Sequence, residues 1–121
     1  MILADTSIWI DHLRTGEPGL GALLERGEVL GHAWVVGEIA LGRLVDRAAV
    51  LRLLRQLPQA PVATPEELLV LIERDELARV NIGYVDVQLL AATRMAGDAS
   101  LWTRDRRLRM TAERLGVAYS E

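Results

Sequence analysis

The chain has 121 residues, a net charge of −3, and half of its residues are apolar. That length suits one domain, residues 1–121, with a core of two or three layers. The absence of cysteine excludes disulfides and thiolate metal sites, and two histidines, His12 and His32, supply a multi-histidine zinc site poorly. No apolar run reaches membrane-spanning length, and Met1-Ile2-Leu3 leads quickly to an acid, so no signal peptide is evident and a cytoplasmic location is expected. The negative charge does not advertise nucleic-acid binding. All fourteen basic residues are arginine, which contacts phosphate bidentately, although a GC-rich coding genome accounts for most of that bias.

In chain order, Ile2-Leu3-Ala4 reads as a short buried strand, Asp5-Thr6-Ser7 as helix-capping chemistry, and Ile8 to Leu13 as the start of a helix. Gly16 and Pro18 separate that helix from a second one through Glu25, stopped at Gly27. Glu28 to Gly31 suits a second strand. Trp34 to Gly42 is apolar around a helix, which predicts a buried helix. Ala48 to Leu57 is amphipathic and is ended by Pro58 and Pro61, and Val62-Ala63 suits a strand. Thr64-Pro65-Glu66-Glu67 joins a cap, a proline at the first helical position and acids in the first turn, predicting a helix to about Leu77. A helix over Val85 to Met95, a strand at Ser100 to Thr103, a helix from Arg106 to Leu115 stopped by Gly116, and a last short strand at Val117-Ala118-Tyr119 complete the chain. The alternation predicts an α/β fold with a parallel sheet flanked by helices. In such sheets ligands bind beyond the carboxyl ends of the strands.

Four acids stand out. Asp11, Asp46, Asp75 and Asp98 are set aside, because they fall on polar helix faces or in turns. Asp5 and Asp105 follow predicted strands, and all three of Asp5, Asp86 and Asp105 sit at predicted helix starts. Taken singly each is a good helix cap, because a helix N-terminus favours a carboxylate. Glu38 does not fit that account, because it lies inside its helix with no Lys or Arg nearer in sequence than Arg43. A buried, unpaired carboxylate is costly or takes up a proton. Convergence of the four acids on one point explains all four positions. Two carboxylates about 5 Å apart repel by roughly 3 kcal/mol at an effective dielectric near 20, so such a cluster needs a cation. Mg²⁺ or Mn²⁺ suits an all-carboxylate site that keeps waters, and such an ion activates water against a phosphoryl group.

Asp5-Thr6-Ser7 after an apolar strand, Glu38 in Val36-Gly37-Glu38-Ile39-Ala40-Leu41-Gly42, Asp86 in the run from Gly83 to Ala92, and Thr103-Arg104-Asp105 together resemble the PIN-domain ribonucleases. The likeness is closest to the VapC toxins of bacterial toxin–antitoxin pairs, and it covers nearly the whole chain in order and spacing. It implies a PIN-like α/β/α sandwich in which Asp5, Glu38, Asp86 and Asp105 hold one or two Mg²⁺ or Mn²⁺ ions, with Ser7 and Thr103 orienting acids or waters. It implies hydrolysis of RNA phosphodiesters, of the transfer or ribosomal RNA class, together with a homodimer and inhibition by a VapB-type antitoxin. Arg104, Arg106, Arg107 and Arg109 crowd the edge of this set as candidate phosphate contacts, balanced against a solvated helix face. Trp9 and Trp34 are weighed as base-stacking groups against core packing, which is preferred, and His12 as a surface residue.

A receiver domain would need a lysine, and the chain has none. A haloacid-dehalogenase-type phosphatase would need an aspartate at the position of Ser7, and Gly16, Gly19 and Gly21 do not make the dinucleotide fingerprint. The remaining alternative is a non-catalytic PIN-like binding module.

Overall fold

A computed structural model describes residues 1–121 in full. Three parallel strands form the sheet: β1 (Ile2–Ala4), β2 (Val29–Leu30) and β3 (Ser100–Trp102), in the order β2-β1-β3. Ile2 and Leu3 pair with Val29 and Leu30 on one side, and Ile2, Leu3 and Ala4 with Ser100, Leu101 and Trp102 on the other. Successive strand residues point to opposite faces. All three residues of β1 are buried, so both faces of the central strand are covered, as the apolar run predicts.

Seven α-helices surround the sheet: α1 (Thr6–Thr15), α2 (Pro18–Glu25), α3 (Ala33–Ala40), α4 (Arg47–Gln56), α5 (Pro65–Arg74), α6 (Tyr84–Ala96) and α7 (Arg106–Arg114). Their starts follow the capping chemistry of the sequence. Asp5 and Asp105 cap α1 and α7. At α5 the Thr64 hydroxyl accepts the Glu67 N–H (3.2 Å) and the Glu67 carboxylate accepts the Thr64 N–H (2.8 Å), a reciprocal capping box. Gly27 and Gly116, both at positive φ, end α2 and α7 where a side chain would be strained.

Four expectations from the sequence are corrected. The segment Trp34 to Gly42 is not a helix buried on all sides: only Val35 and Ile39 of α3 are buried, Glu38 is exposed, and Leu41 beyond the helix is 90% exposed. Apolar composition reports a surface that avoids water, and here part of that surface has no cover within the chain. Residues Val62-Ala63 form no strand, because the Gln88 side chain holds both backbone groups of Ala63. Instead Gln59 makes a single parallel bridge to Gly31 at one edge of the sheet. At the other edge the expected strand at Val117-Ala118-Tyr119 is reduced to a bridge between Ala118 and Leu101. Finally, α5 ends at Arg74 rather than Leu77, because Glu76 takes a left-handed conformation (φ 53°) that an α-helix cannot continue through.

One cluster of 26 buried apolar residues runs through sheet and helices, with Trp9 and Trp102 its largest members. No helix is long and apolar enough to cross a membrane.

Candidate active site

Asp5 leaves the carboxyl end of the central strand and is the most enclosed of the four acids, at 7% exposure. Its Oδ1 accepts the Ser7 hydroxyl at 2.7 Å and the Ile8 N–H at 3.1 Å, and its Oδ2 accepts the Thr103 hydroxyl. The Thr103 oxygen in turn accepts the Asp105 N–H at 3.0 Å. One buried hydroxyl at the end of β3 therefore sets the Asp5 carboxylate and the start of α7 together. Asp105 Oδ1 accepts the Leu108 N–H at 2.9 Å, so Asp105 is a helix cap with its second oxygen uncommitted.

Asp86 sits one turn into α6 rather than at its cap. Gly83 is the cap, and Asp86 Oδ2 reaches back to accept the Gly83 N–H at 3.2 Å. Glu38, on the exposed side of α3, accepts the Thr6 hydroxyl. Thr6 follows Asp5 directly, so this bond ties Glu38 to the start of α1. Its signal in the sequence was only a hydroxyl beside an acid.

Charge brings the four acids into one field. Burial raises the pKa of Asp86; the Gly83 amide opposes that shift, while Asp105, Asp5 and Glu38 add to it. None of the ion pairs in the protein involves Asp5, Glu38, Asp86 or Asp105. In this geometry, however, no three acid or histidine side chains stand close enough together to hold an ion directly. Simultaneous ligation by the four needs bridging water or side-chain rearrangement at more than one of them.

The arginines near Asp105 divide. Arg104 turns away from the acids to Glu121 (2.6 Å), Glu17 (2.9 Å) and Asp11 (3.6 Å), and lies 5.5 Å from the centre of the Trp102 ring. Its hydrogen bonds to Glu121 and Glu17 hold it even more firmly protonated than usual, and Arg104 holds the Glu121 carboxyl below its ordinary range. Its charge is met within the fold, which weakens the expectation that it contacts RNA. Arg106 and Arg107 are exposed and make no ion pair, while Arg109 pairs loosely with Glu113 (3.9 Å).

Trp9 is core, as its apolar surroundings suggested, and meets His12 edge-on at 6.1 Å. His12 is half-buried and accepts the Glu17 N–H at the α1–α2 turn (3.1 Å), a structural role that the sequence did not reveal. Trp34 is half-buried against the exposed Tyr84, their ring centres 5.7 Å apart.

No family model matches the chain. Among curated proteins, Ribonuclease VapC32 from each of two strains of Mycobacterium tuberculosis is 45% identical over 121 residues, covering all of this chain and 98% of the relative. With that identity sustained from end to end, over a parallel sheet flanked by helices, the chain belongs to the VapC family of PIN-domain ribonucleases.

Proposed function

We propose that the protein is a Mg²⁺- or Mn²⁺-dependent endoribonuclease, the toxin of a VapBC-type pair, and that residues 1–121 work as one domain. The observation that supports this most directly is the 45% identity to Ribonuclease VapC32 over the whole chain, together with four carboxylates, Asp5, Glu38, Asp86 and Asp105, with which no arginine pairs. The donor set suits a hard divalent ion, because it is all carboxylate, without thiol or imidazole. Asp105 and Asp86 each keep one oxygen free of the hydrogen bonds that fix the other.

Asp5, Glu38, Asp86 and Asp105 would hold the ion, directly or through water, and when bound it would supply an activated water and stabilise charge on the scissile phosphoryl group. The protein's own groups do the rest. Ser7 and Thr103 donate to Asp5 and fix the orientation of its carboxylate. Thr6 steers Glu38. Arg106 and Arg107, exposed and unpaired on the first turn of α7, are placed to take backbone phosphates.

The family implies an antitoxin partner, and the uncovered apolar surface supports both that partner and a second copy. A groove of about 430 Å³ is lined by Ile10, Leu13, Ile39, Leu44 and Val45, with Glu38, Arg14 and Arg43 as its charged lining residues. It suits an apolar segment of a VapB-type antitoxin carrying acidic flanks. A second face, with Leu69 58%, Val70 61% and Met95 44% exposed on α5 and α6, suits a second copy in a two-fold homodimer.

The test is cleavage of transfer and ribosomal RNA by the purified protein in Mg²⁺, in EDTA, and as Asp5→Ala. Cleavage only by the wild type in Mg²⁺ is expected. Metal-independent cleavage, or cleavage that survives Asp5→Ala, overturns the assignment of the acids. RNA or antitoxin binding with no cleavage under any condition leaves the non-catalytic module as the better reading.

A further inference from the structure

Two wholly buried polar side chains meet between the helices that carry Glu38 and Asp86. His32 and Gln88 are each 0% exposed. His32 Nδ1 accepts the Trp34 N–H at 3.0 Å and so caps α3. The ring proton therefore sits on Nε2, which donates to Gln88 Oε1 at 3.3 Å. The same Oε1 accepts the Ala63 N–H at 2.8 Å, and Gln88 Nε2 donates to the Ala63 carbonyl at 3.1 Å. An imidazolium would lose the Nδ1 acceptor and with it the cap. Burial lowers the pKa of His32, in keeping with a neutral ring.

An imidazole and an amide are poor core residues unless every group is bonded, and an apolar pair would fill the same space at less cost. Their location suggests what they do. Helix α3 packs mainly on α1 and α4, and α6 mainly on α5 and β3. Beyond the Trp34–Tyr84 ring contact the two acid-bearing helices share little direct packing, and the imidazole–amide bond joins them inside the core. Glu38 lies six residues beyond the cap, or about 9 Å along the helix axis, so a tilt of about 10° at the cap moves it by about 1.6 Å. Mg²⁺ demands near-ideal octahedral geometry, so a shift of that size changes which acids or bridging waters can reach it.

We propose that His32 and Gln88 are positioning residues that fix the helix bearing Glu38 against the helix bearing Asp86, and so set the spacing of the acids around a divalent cation. The proposal rests on reading the four acids as a cation site. Neither side chain touches substrate or ion.

His32→Asn separates capping from positioning, because asparagine still accepts the Trp34 N–H but is too short to reach Gln88. Gln88→Met, similar in volume, removes the amide from the other side. For each variant, the double variant and Asp5→Asn, three quantities are measured: the unfolding midpoint in EDTA, Mg²⁺ affinity by titration calorimetry, and kcat and KM on RNA. The expected result is folded His32→Asn and Gln88→Met proteins with Mg²⁺ affinity weakened 10- to 100-fold. Their kcat should fall in step, with KM within twofold of wild type and the double variant no worse than the weaker single one. Variants with a lowered unfolding midpoint but Mg²⁺ affinity and kcat within twofold of wild type would show the network to be core packing and nothing more. Should His32→Asn not fold, Gln88→Met decides the matter by itself: weakened Mg²⁺ affinity supports positioning, and unchanged affinity overturns it. Unchanged Mg²⁺ binding in Asp5→Asn would instead overturn the four-acid reading itself, and the spacing argument with it.

Discussion

Asp86→Asn is expected to make the metal-free protein more stable while disabling it as an enzyme. The side-chain carbonyl of asparagine can still accept the Gly83 N–H that Asp86 Oδ2 accepts at 3.2 Å, so the start of α6 is kept. What is lost is a half-buried charge facing Asp105, Asp5 and Glu38. A pair of unit charges about 8 Å apart repels by about 2 kcal/mol at an effective dielectric near 20, and by less than half of that in physiological salt. Asp105 is the strongest of the three neighbours and Asp5 the next, and the exposed Asp105 and Glu38 are discounted for solvent screening. Against this relief stand a weaker hydrogen bond and the loss of a favourable helix-dipole contact, each about 0.5–1 kcal/mol. The balance is a gain of about 1 kcal/mol in EDTA, or about 4 °C in Tm for a chain of this size.

The pH dependence has a definite sign. The folded protein holds the Asp86 proton to higher pH than the unfolded chain does, so wild-type stability falls as pH rises from the ordinary carboxylate range through the raised folded pKa. Asp86→Asn should flatten that decline. In Mg²⁺ at a hundredfold excess over the dissociation constant the wild type should gain about 2.7 kcal/mol, and the variant much less. The assay is urea unfolding of both proteins in EDTA and in Mg²⁺. A variant less stable than wild type in EDTA, or an equal Mg²⁺ gain in both, would refute the clustered-charge argument.

Other perturbations test separate parts of the site. Thr103→Val removes a buried hydroxyl that serves both Asp5 and the Asp105 N–H; it should cost about 1–3 kcal/mol in urea unfolding, with Thr103→Ser restoring most of it. Glu38→Gln should alter metal-free stability by less than about 0.5 kcal/mol, because Glu38 is exposed, yet reduce RNA cleavage by orders of magnitude; a large loss of stability would contradict its surface position. Arg106→Ala with Arg107→Ala should weaken RNA binding and flatten its salt dependence, whereas Arg104→Ala should do so far less, because Glu121, Glu17 and Asp11 already hold that guanidinium. The unfolded chain takes up a proton at His32 before the folded one, so stability is full above pH 6.5 and declines as pH falls through 6.5 toward the lowered folded pKa, a decline that His32→Asn should reduce.

Residues whose partners lie within a turn or two were legible from the sequence. The caps at Asp5, Thr64 and Asp105, the stops at Gly27 and Gly116, and the apolar runs of β1 and β3 depend on neighbours a few positions away, and the structure places them where those local rules do. Asp5 and Asp105 belong to the same class, because strand ends and helix starts already put these two on one edge of a parallel sheet. Partners far apart in the chain were not legible. His32 meets Gln88 across 56 positions, Arg104 reaches back to Asp11 and Glu17, and Gln59 rather than Val62 meets the edge of the sheet at Gly31. Glu38 illustrates the physical limit most directly. An apolar helix has the same composition whether its chain buries it or leaves it for another molecule, so only the packing of α3 against α1 and α4 decided that Glu38 faces out, beside an open apolar groove.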